Sequence, residues 1–197
     1  MHELVREGAR KVVHLASLSI PVVYITYGRE TTLAFLVYCL VGFLVAEFVR
    51  IELGVRIPFF NIIAREKEAE RMGAEVYFTL GALVAVAAYT KAVACAIILM
   101  ASLGDMAASL VGKAVRGPRL YGDKTVAGAG GELVMDVVAV TVLGAVVPEV
   151  TLPATVVFAM AIAATVVETL VERINDNLAV PVIAGLIGNL MLGVPLG

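Results

Sequence analysis

An all-α membrane protein, one domain of six or seven transmembrane helices, is the fold this sequence predicts, and three observations carry the prediction. Hydrophobic residues make up 60% of the 197, against roughly 45 to 50% in soluble globular chains. The mean hydropathy of +0.96 points the same way. Second, apolar runs recur along the whole length, each bounded by charge, glycine or proline. Third, the basic residues are lopsided. With the runs taken as spans, Arg6, Arg10, Lys11, Arg50, Arg56, Arg65, Lys67, Arg71, Lys113, Arg116, Arg119, Lys124 and Arg173 fall on one side, and Arg29 and Lys91 on the other. That asymmetry makes the first side cytoplasmic. A net charge of −2 gives no sign of a nucleic-acid partner.

Taken in order, residues 1–11 read as a short interfacial helix with Arg6, Arg10 and His14 on one face. No cleavable signal pattern is present, so the first span is expected to be kept. Span one covers about residues 12–27, with Pro21 expected to kink it. Residues 28–30 form a tight turn and span two covers 31–49, where Glu47 finds its partner in Arg50. The charged stretch 50–74 contains a solvated mixed-charge run at 65–71. Span three covers 75–90, Lys91 marks a turn, and span four covers 92–112. A glycine-rich loop follows to residue 131. Span five covers 132–147, ended by Pro148 and Glu149. Span six covers 150–170, a polar knot occupies 168–177, and the last span covers 178–196. Cys39 and Cys95 stand alone in apolar runs and read as core filling.

The chemistry is concentrated between residues 104 and 131. Asp105 interrupts an otherwise ordinary span, where an ionised side chain costs about 2.5 to 3.5 kcal/mol unless paired. On a helix Asp105, Ser109 and Gly112 share one face. Lys113, Arg116, Arg119 and Lys124 follow among glycines that let a backbone approach an anion. A carboxylate followed by cations suits a metal-bound polyphosphate, because carboxylates and phosphate oxygens together hold Mg2+. The segment 122–131 is not a Walker A loop, lacking its first glycine before Lys124 and Thr125. Gly128 and Gly131 also fit close helix packing. A second group, Glu168 with Asn175, Asp176 and Asn177, lies between two spans on the same side as Asp105, and Glu168, Glu172 and Asp176 stand at i, i+4 and i+8 as on one helix face. It reads either as a helix stop and turn or as a further metal or nucleotide contact. Arg10 and Lys11 suit anionic lipid heads. Glu132 and Asp136 are set one turn apart at the start of span five, where they either add metal ligands or pair with the loop lysines.

These pieces resemble the CTP-dependent polyprenol and lipid kinases, the family of dolichol kinase, phytol kinase and CTP-dependent diacylglycerol kinase. The matching stretches are residues 7–14, 70–81, 104–113 (Gly-Asp-Met-Ala-Ala-Ser-Leu-Val-Gly-Lys), 124–128 (Lys-Thr-Val-Ala-Gly), Glu168 and 175–181 (Asn-Asp-Asn-Leu-Ala-Val-Pro). Residues 104–113 and 175–181 are specific in combination. The resemblance implies transfer of the γ-phosphoryl of CTP to a lipid hydroxyl, with Asp105, Gly112, Lys124, Arg10 and Lys11 at functional positions. The expected arrangement has Mg2+ held by Asp105 with Glu168 or Asp176, and the catalytic set is Asp105, Lys124 and Asp176. Nucleotide contacts are assigned to Arg10, Lys11, Ser109, Gly112, Lys113, Thr125, Gly128, Asn175 and Asn177. The expected partners are CTP, a prenyl or other lipid alcohol and the bilayer. Phytol, geranylgeraniol or diacylglycerol are the alternative acceptors. A CTP:lipid-phosphate cytidylyltransferase is the nearest rival enzyme, and a small transporter the rival outside enzymes. Glu132 and Asp136 match nothing in the family pattern.

Overall fold

The computed structural model describes residues 15–55, 72–115, 117–171 and 175–196. The basic face expected at Arg6, Arg10, Lys11 and His14, the run 65–71, and Arg116, Glu172 and Arg173 lie outside the described residues. Helix dominates the remainder: α1 (Ser19–Ile51), α2 (Ala74–Ala88), α3 (Lys91–Leu99), α4 (Asp105–Ala114), α5 (Val126–Val146), α6 (Ala154–Leu170) and α7 (Asp176–Met191). A π-helical turn, Met100–Gly104, joins α3 to α4. A two-stranded antiparallel hairpin, β1 (Arg119–Tyr121) and β2 (Lys124–Thr125), lies between α4 and α5.

Among the described residues three helices are long and apolar enough to cross a membrane, fewer than the six or seven expected. They are Leu15–Ile51, Lys91–Ala114 and Val126–Val146. The shorter apolar helices Ala74–Ala88, Ala154–Leu170 and Asp176–Met191 fall below the roughly 20 residues a bilayer asks for. The outward faces are consistent with a lipid surround. Val134, Val138, Val142 and Val146 of α5 are exposed at four-residue spacing, as are Phe158, Ile162, Val166 and Leu170 of α6. Carboxylates lie inside instead: Glu47, Glu132, Asp136 and Glu168 are all buried. A water-soluble domain distributes these residue types the other way round.

At the centre stands the α3 end of the Lys91–Ala114 helix. Its apolar window is 61% buried, against 17% and 28% for the other two long helices. Ala94, Ala96 and Cys95 bring neighbouring backbones close to it, as small residues do where helices meet in lipid. Glycines on α7 make matching room. A Cβ at Gly185 would overlap the Tyr89 ring, and one at Gly188 would overlap Met160.

Several local expectations change. Spans one and two are two helical segments of α1 that meet at a kink at Gly28, whose φ of 81° and ψ of −178° are non-helical. A three-residue turn is unnecessary because glycine alone reaches that conformation without Cβ strain. Helix at residues 15–17 is interrupted at Leu18, three residues before Pro21, and resumes at Ser19, in keeping with the kink expected from a residue that has no N–H to return to the preceding turn. The glycine-rich loop is shorter than expected: α5 begins at Val126, six residues before Glu132, because Thr125 caps it by accepting from the Gly128 amide at 3.1 Å. The expected helix stop at Asn175 to Asn177 is a helix start, with Asn175 as the cap of α7, its side chain accepting from the Asn177 amide. Because α6 ends at Leu170 and Val171 is extended, Glu168 and Asp176 belong to different helices.

A candidate carboxylate and lysine site

Helix direction places the candidate site at one end of the bundle. The C-termini of α4 and α6, the N-termini of α5 and α7 and the hairpin all meet there. The opposite end is fastened by Lys91 to Glu149 at 3.2 Å and by Asn189, whose Oδ1 accepts from the Thr90 amide at 3.0 Å. Between the π-helical turn, α4, α5, α6 and α7 lies a cavity of about 10 Å³, lined by Met100, Ala101, Asp105, Glu132, Glu168, Asp176, Asn177 and Val180. That is room for about one water molecule. Four carboxylates and one carboxamide thus converge on a single small space.

Each arrives by a local cause. Asp105 is the first residue of α4, directly after the π-helical turn, a feature that often re-aims side chains at functional sites. Gly104 lets the Asp136 carboxylate come close to that turn, since a Cβ there would make the carboxylate shift. Glu132 and Asp136 face inward from successive turns of α5, at 3% and 0% exposure. Glu168 comes from the last turn of α6. Asp176 opens α7, where its Oδ1 accepts from the Asn177 amide at 2.9 Å. Asn177 also donates from Nδ2 to Asn175 Oδ1 at 3.0 Å and to Asp176 Oδ1 at 3.1 Å.

Lys124 ties the halves of the site together. Its ammonium donates to Glu168 Oε1 and lies 3.8 Å from Asp176 Oδ2. Burial alone would lower the lysine, but Glu168, with Asp176 and Asp105 beyond it, outweighs this and holds the ammonium above its ordinary value of 10.5. Lys124 is therefore charged at neutral pH.

The structure gathers Asp105, Lys124, Glu168, Asp176 and Asn177, with Asn175 beside them as a cap. It sets the other expected contacts apart. Ser109 is half-buried on α4 and does not line the cavity, and Lys113 is exposed at the end of that helix. Gly112 and Gly128 face one another across the α4 and α5 contact: a Cβ at Gly128 would stand 3.5 Å from the Gly112 Cα. The Gly128 N–H is occupied by Thr125 Oγ1. Arg10 and Lys11 lie outside the described residues. Among the described residues no group of three or more His, Cys, Asp or Glu side chains is arranged to hold a metal ion. The Lys124 ammonium bridges toward Glu168 and Asp176, two of the three expected ligands.

Glu132 lines the cavity and Asp136 lies buried one turn further along α5; the pairing with the loop lysines that the sequence offered as one alternative goes instead, for Lys124, to Glu168 and Asp176. The i, i+4 spacing of Glu132 and Asp136 inside an apolar run was the available signal, and neither oxygen of Asp136 has a hydrogen-bond partner. Glu47 does as expected. It accepts from Arg50 at 3.1 and 2.6 Å and also from the Gly73 amide at 3.2 Å, so it serves the fold and not the site.

Fold and site together define a predominantly helical chain with outward faces suited to a membrane and a small acidic cavity, two of whose carboxylates meet a lysine from a short hairpin. No protein-family model, curated protein or solved structure matches the chain.

Proposed function

We propose that the chain is a CTP-dependent kinase that phosphorylates the hydroxyl of a dolichol-type membrane polyprenol and releases CDP. The observation that carries the reading is the convergence of Asp105, Glu168, Asp176 and Asn177 on one cavity, with Lys124 beside them, at one end of an apolar helical bundle. The donor set is all oxygen, the chemistry Mg2+ takes, but in the arrangement described the Lys124 ammonium occupies Glu168 and Asp176, so an ion would enter only as that lysine moves away. Asp105, Glu168 and Asp176 would hold it. When bound, Mg2+ neutralises charge spreading over the phosphates.

The chain's own residues do the rest by position and charge. Lys124, already charged, turns from Glu168 toward the nucleotide phosphates, with Lys113 at the rim. Asn175 and Asn177 orient the nucleotide, and the N-terminal turn of α5 presents its positive end to the phosphates. The lipid alcohol oxygen bonds to the γ-phosphorus as the bond to the β,γ-bridging oxygen breaks. The hydroxyl proton passes to a carboxylate of the cluster, Asp105 or Asp176, and CDP leaves. In this reading the two halves of α1, α2, α3 with α4, α5, α6 and α7 make seven passes. The basic loops and the cavity then face the cytoplasm, where CTP is available.

Incubating the detergent-solubilised chain with labelled CTP and a panel of dolichol, phytol, geranylgeraniol and diacylglycerol should label a polyprenol most strongly. Asp105→Asn should abolish labelling while the protein stays folded. Undiminished labelling by that variant would refute the site. Pyrophosphate in place of CDP among the products would move the reading to a cytidylyltransferase. A transporter is favoured by one observation, the wholly buried Asp136 within the bundle, since ion-coupled carriers place carboxylates at such depth. It predicts no CTP turnover with any alcohol.

A further inference from the structure

The acidic cavity has room for about one water, so the tail of a lipid substrate must lie elsewhere. A groove of about 320 Å³ opens between α1, the Lys91–Ala114 helix and α5, a volume in the range that holds small organic ligands. On its first wall Leu18, Val22 and Thr26 follow at four-residue spacing and share a face. Leu99 and Leu103 form the second wall, and Leu143 and Val147 the third. The Thr26 hydroxyl is the only polar side-chain group among the lining residues. Val22 and Thr26 are exposed, so the groove opens on the outward surface of the bundle. Two sets of contacts fix how it lies. Ser17 and Ser102 share a hydrogen bond of 2.6 Å, which sets Leu18 level with Leu103, two residues before Asp105. Thr26 is eight residues on, about 12 Å along a helix axis. It stands near the end where Lys91 reaches both the Tyr24 ring at 5.7 Å and Glu149 at 3.2 Å, and Glu149 is two residues past Val147. The groove therefore runs along the bundle axis with one end at the level of the site. The same alignment is written on α5, where Glu132, Asp136, Leu143 and Val147 stand at i, i+4, i+11 and i+15 on one face.

We propose that this groove holds the hydrocarbon tail of a single-chain lipid alcohol, with the hydroxyl at the Leu18 and Leu103 end. The surroundings decide the occupant. Walls of this kind offer water no hydrogen-bond partners, and burying them against hydrocarbon is favourable. The groove differs from the outward valine and phenylalanine ridges of α5 and α6 in enclosing a chain on three sides and in ending two residues short of Asp105. One groove with one end at the site suits one chain. That places a polyprenol or phytol ahead of diacylglycerol, whose second chain would have to lie outside it. The tail's part in phosphorylation rests on the kinase reading, whereas its binding does not.

The test is photo-crosslinking of the full chain, in phosphatidylcholine nanodiscs without nucleotide, by a polyprenol that carries a diazirine in its tail. Peptide mass spectrometry then reads the labelled residues. Labelling is expected between Leu18 and Thr26 and between Leu143 and Val147. Excess unlabelled polyprenol should displace it, and diacylglycerol should displace it more weakly. Val22→Trp and Thr26→Trp sit at the exposed rim, where a larger side chain blocks the groove without entering the core. Each should lower the displaceable labelling more than about tenfold, the equivalent of roughly two methylenes losing apolar contact. Val138→Trp, on the outward face of α5, should leave it unchanged. In a kinase assay the two rim variants should raise the KM for polyprenol and keep kcat. Labelling that unlabelled polyprenol cannot displace would mean bulk lipid at the groove, and no labelling there would mean that a protein segment fills it. Either result overturns the proposal, as do full displaceable labelling in both rim variants and equal displacement by diacylglycerol. Displaceable labelling without CTP turnover would remove the kinase reading and keep the groove. CTP turnover with the label confined to other residues would do the reverse.

Discussion

Replacing Gly128 with alanine separates two physical roles for the glycine-rich stretch. If Gly128 serves helix packing, the added Cβ matters through what it meets: the Ala108 carbonyl oxygen at 2.9 Å, Thr125 Oγ1 at 3.2 Å and the Gly112 Cα at 3.5 Å. Two of these are backbone atoms of α4, which cannot rotate away, so α4 and α5 must separate. Overpacking of this kind costs about 1 to 3 kcal/mol, and alanine's better helix propensity returns only about 0.5 to 1 kcal/mol. Gly130 is the internal control. Nothing lies within 4 Å of a Cβ there, so Gly130→Ala should stabilise by that propensity gain alone. Gly112→Ala meets Thr125 Oγ1 at 3.0 Å. Moving that hydroxyl endangers the α5 cap, a contribution of about 0.5 to 2 kcal/mol. Unfolding in mixed micelles by rising denaturing detergent should therefore rank Gly130→Ala above wild type, and Gly112→Ala and Gly128→Ala below it. If Gly128→Ala matches wild type in stability but fails to bind CTP, the glycine works at the phosphates and the packing argument falls.

Two further outcomes follow from ion pairs. Glu47→Ala removes a carboxylate from Arg50, 8% exposed, and the acceptor from the Gly73 amide, so a loss on the order of 1 to 3 kcal/mol is expected. A double-mutant cycle with Arg50→Ala checks it, and additive losses would show the pair to be inert. Lys124 is held above its ordinary value, so its ion-pair contribution is complete below the unfolded lysine value and is lost as pH climbs through the higher folded one. The stability gap between wild type and Lys124→Met should stay level from pH 7 to about 10 and narrow only above that; narrowing near pH 8 would contradict the assignment.

Most helices were legible because hydropathy alone decides which segments avoid water, and Thr90, Lys91, Pro148 and Glu149 punctuate them in the sequence itself. What escaped was set by contacts between distant residues. The π-helical turn at Met100–Gly104 has no periodicity of its own in an all-apolar run, and its partner, Asp136, lies on another helix. The hairpin was hidden because Arg119 to Thr125 has the composition of any polar loop, although Gly122, at a φ of 52°, is where a tight reversal needs glycine. At the site, Asp105 stood out because a charge in an apolar run is expensive. Lys124, Glu168 and Asp176 were identified as candidates, but only the fold shows that they touch. Gly112 and Gly128 were ambiguous in sequence, since small residues serve both anion approach and helix contact.

The Lys124 contact makes the site a joint between two halves of the chain. Its position follows from three local constraints: pairing of Tyr121 with Lys124 in the hairpin, the Thr125 cap, and the close approach of α4 and α5 at Gly112 and Gly128. These fix the lysine relative to Asp105 and Glu132. Glu168 and Asp176 come instead from α6 and α7, which pack on each other. Across that seam the described ionic link is Lys124 to Glu168 and Asp176. An anion that draws the ammonium away uncovers a carboxylate at 6% exposure, and the uncovered charge then demands a cation. On the kinase reading, phosphate binding and cation binding would therefore be coupled through a single lysine, each lowering the cost of the other. A site that bound either alone with full affinity would need that lysine to do something else.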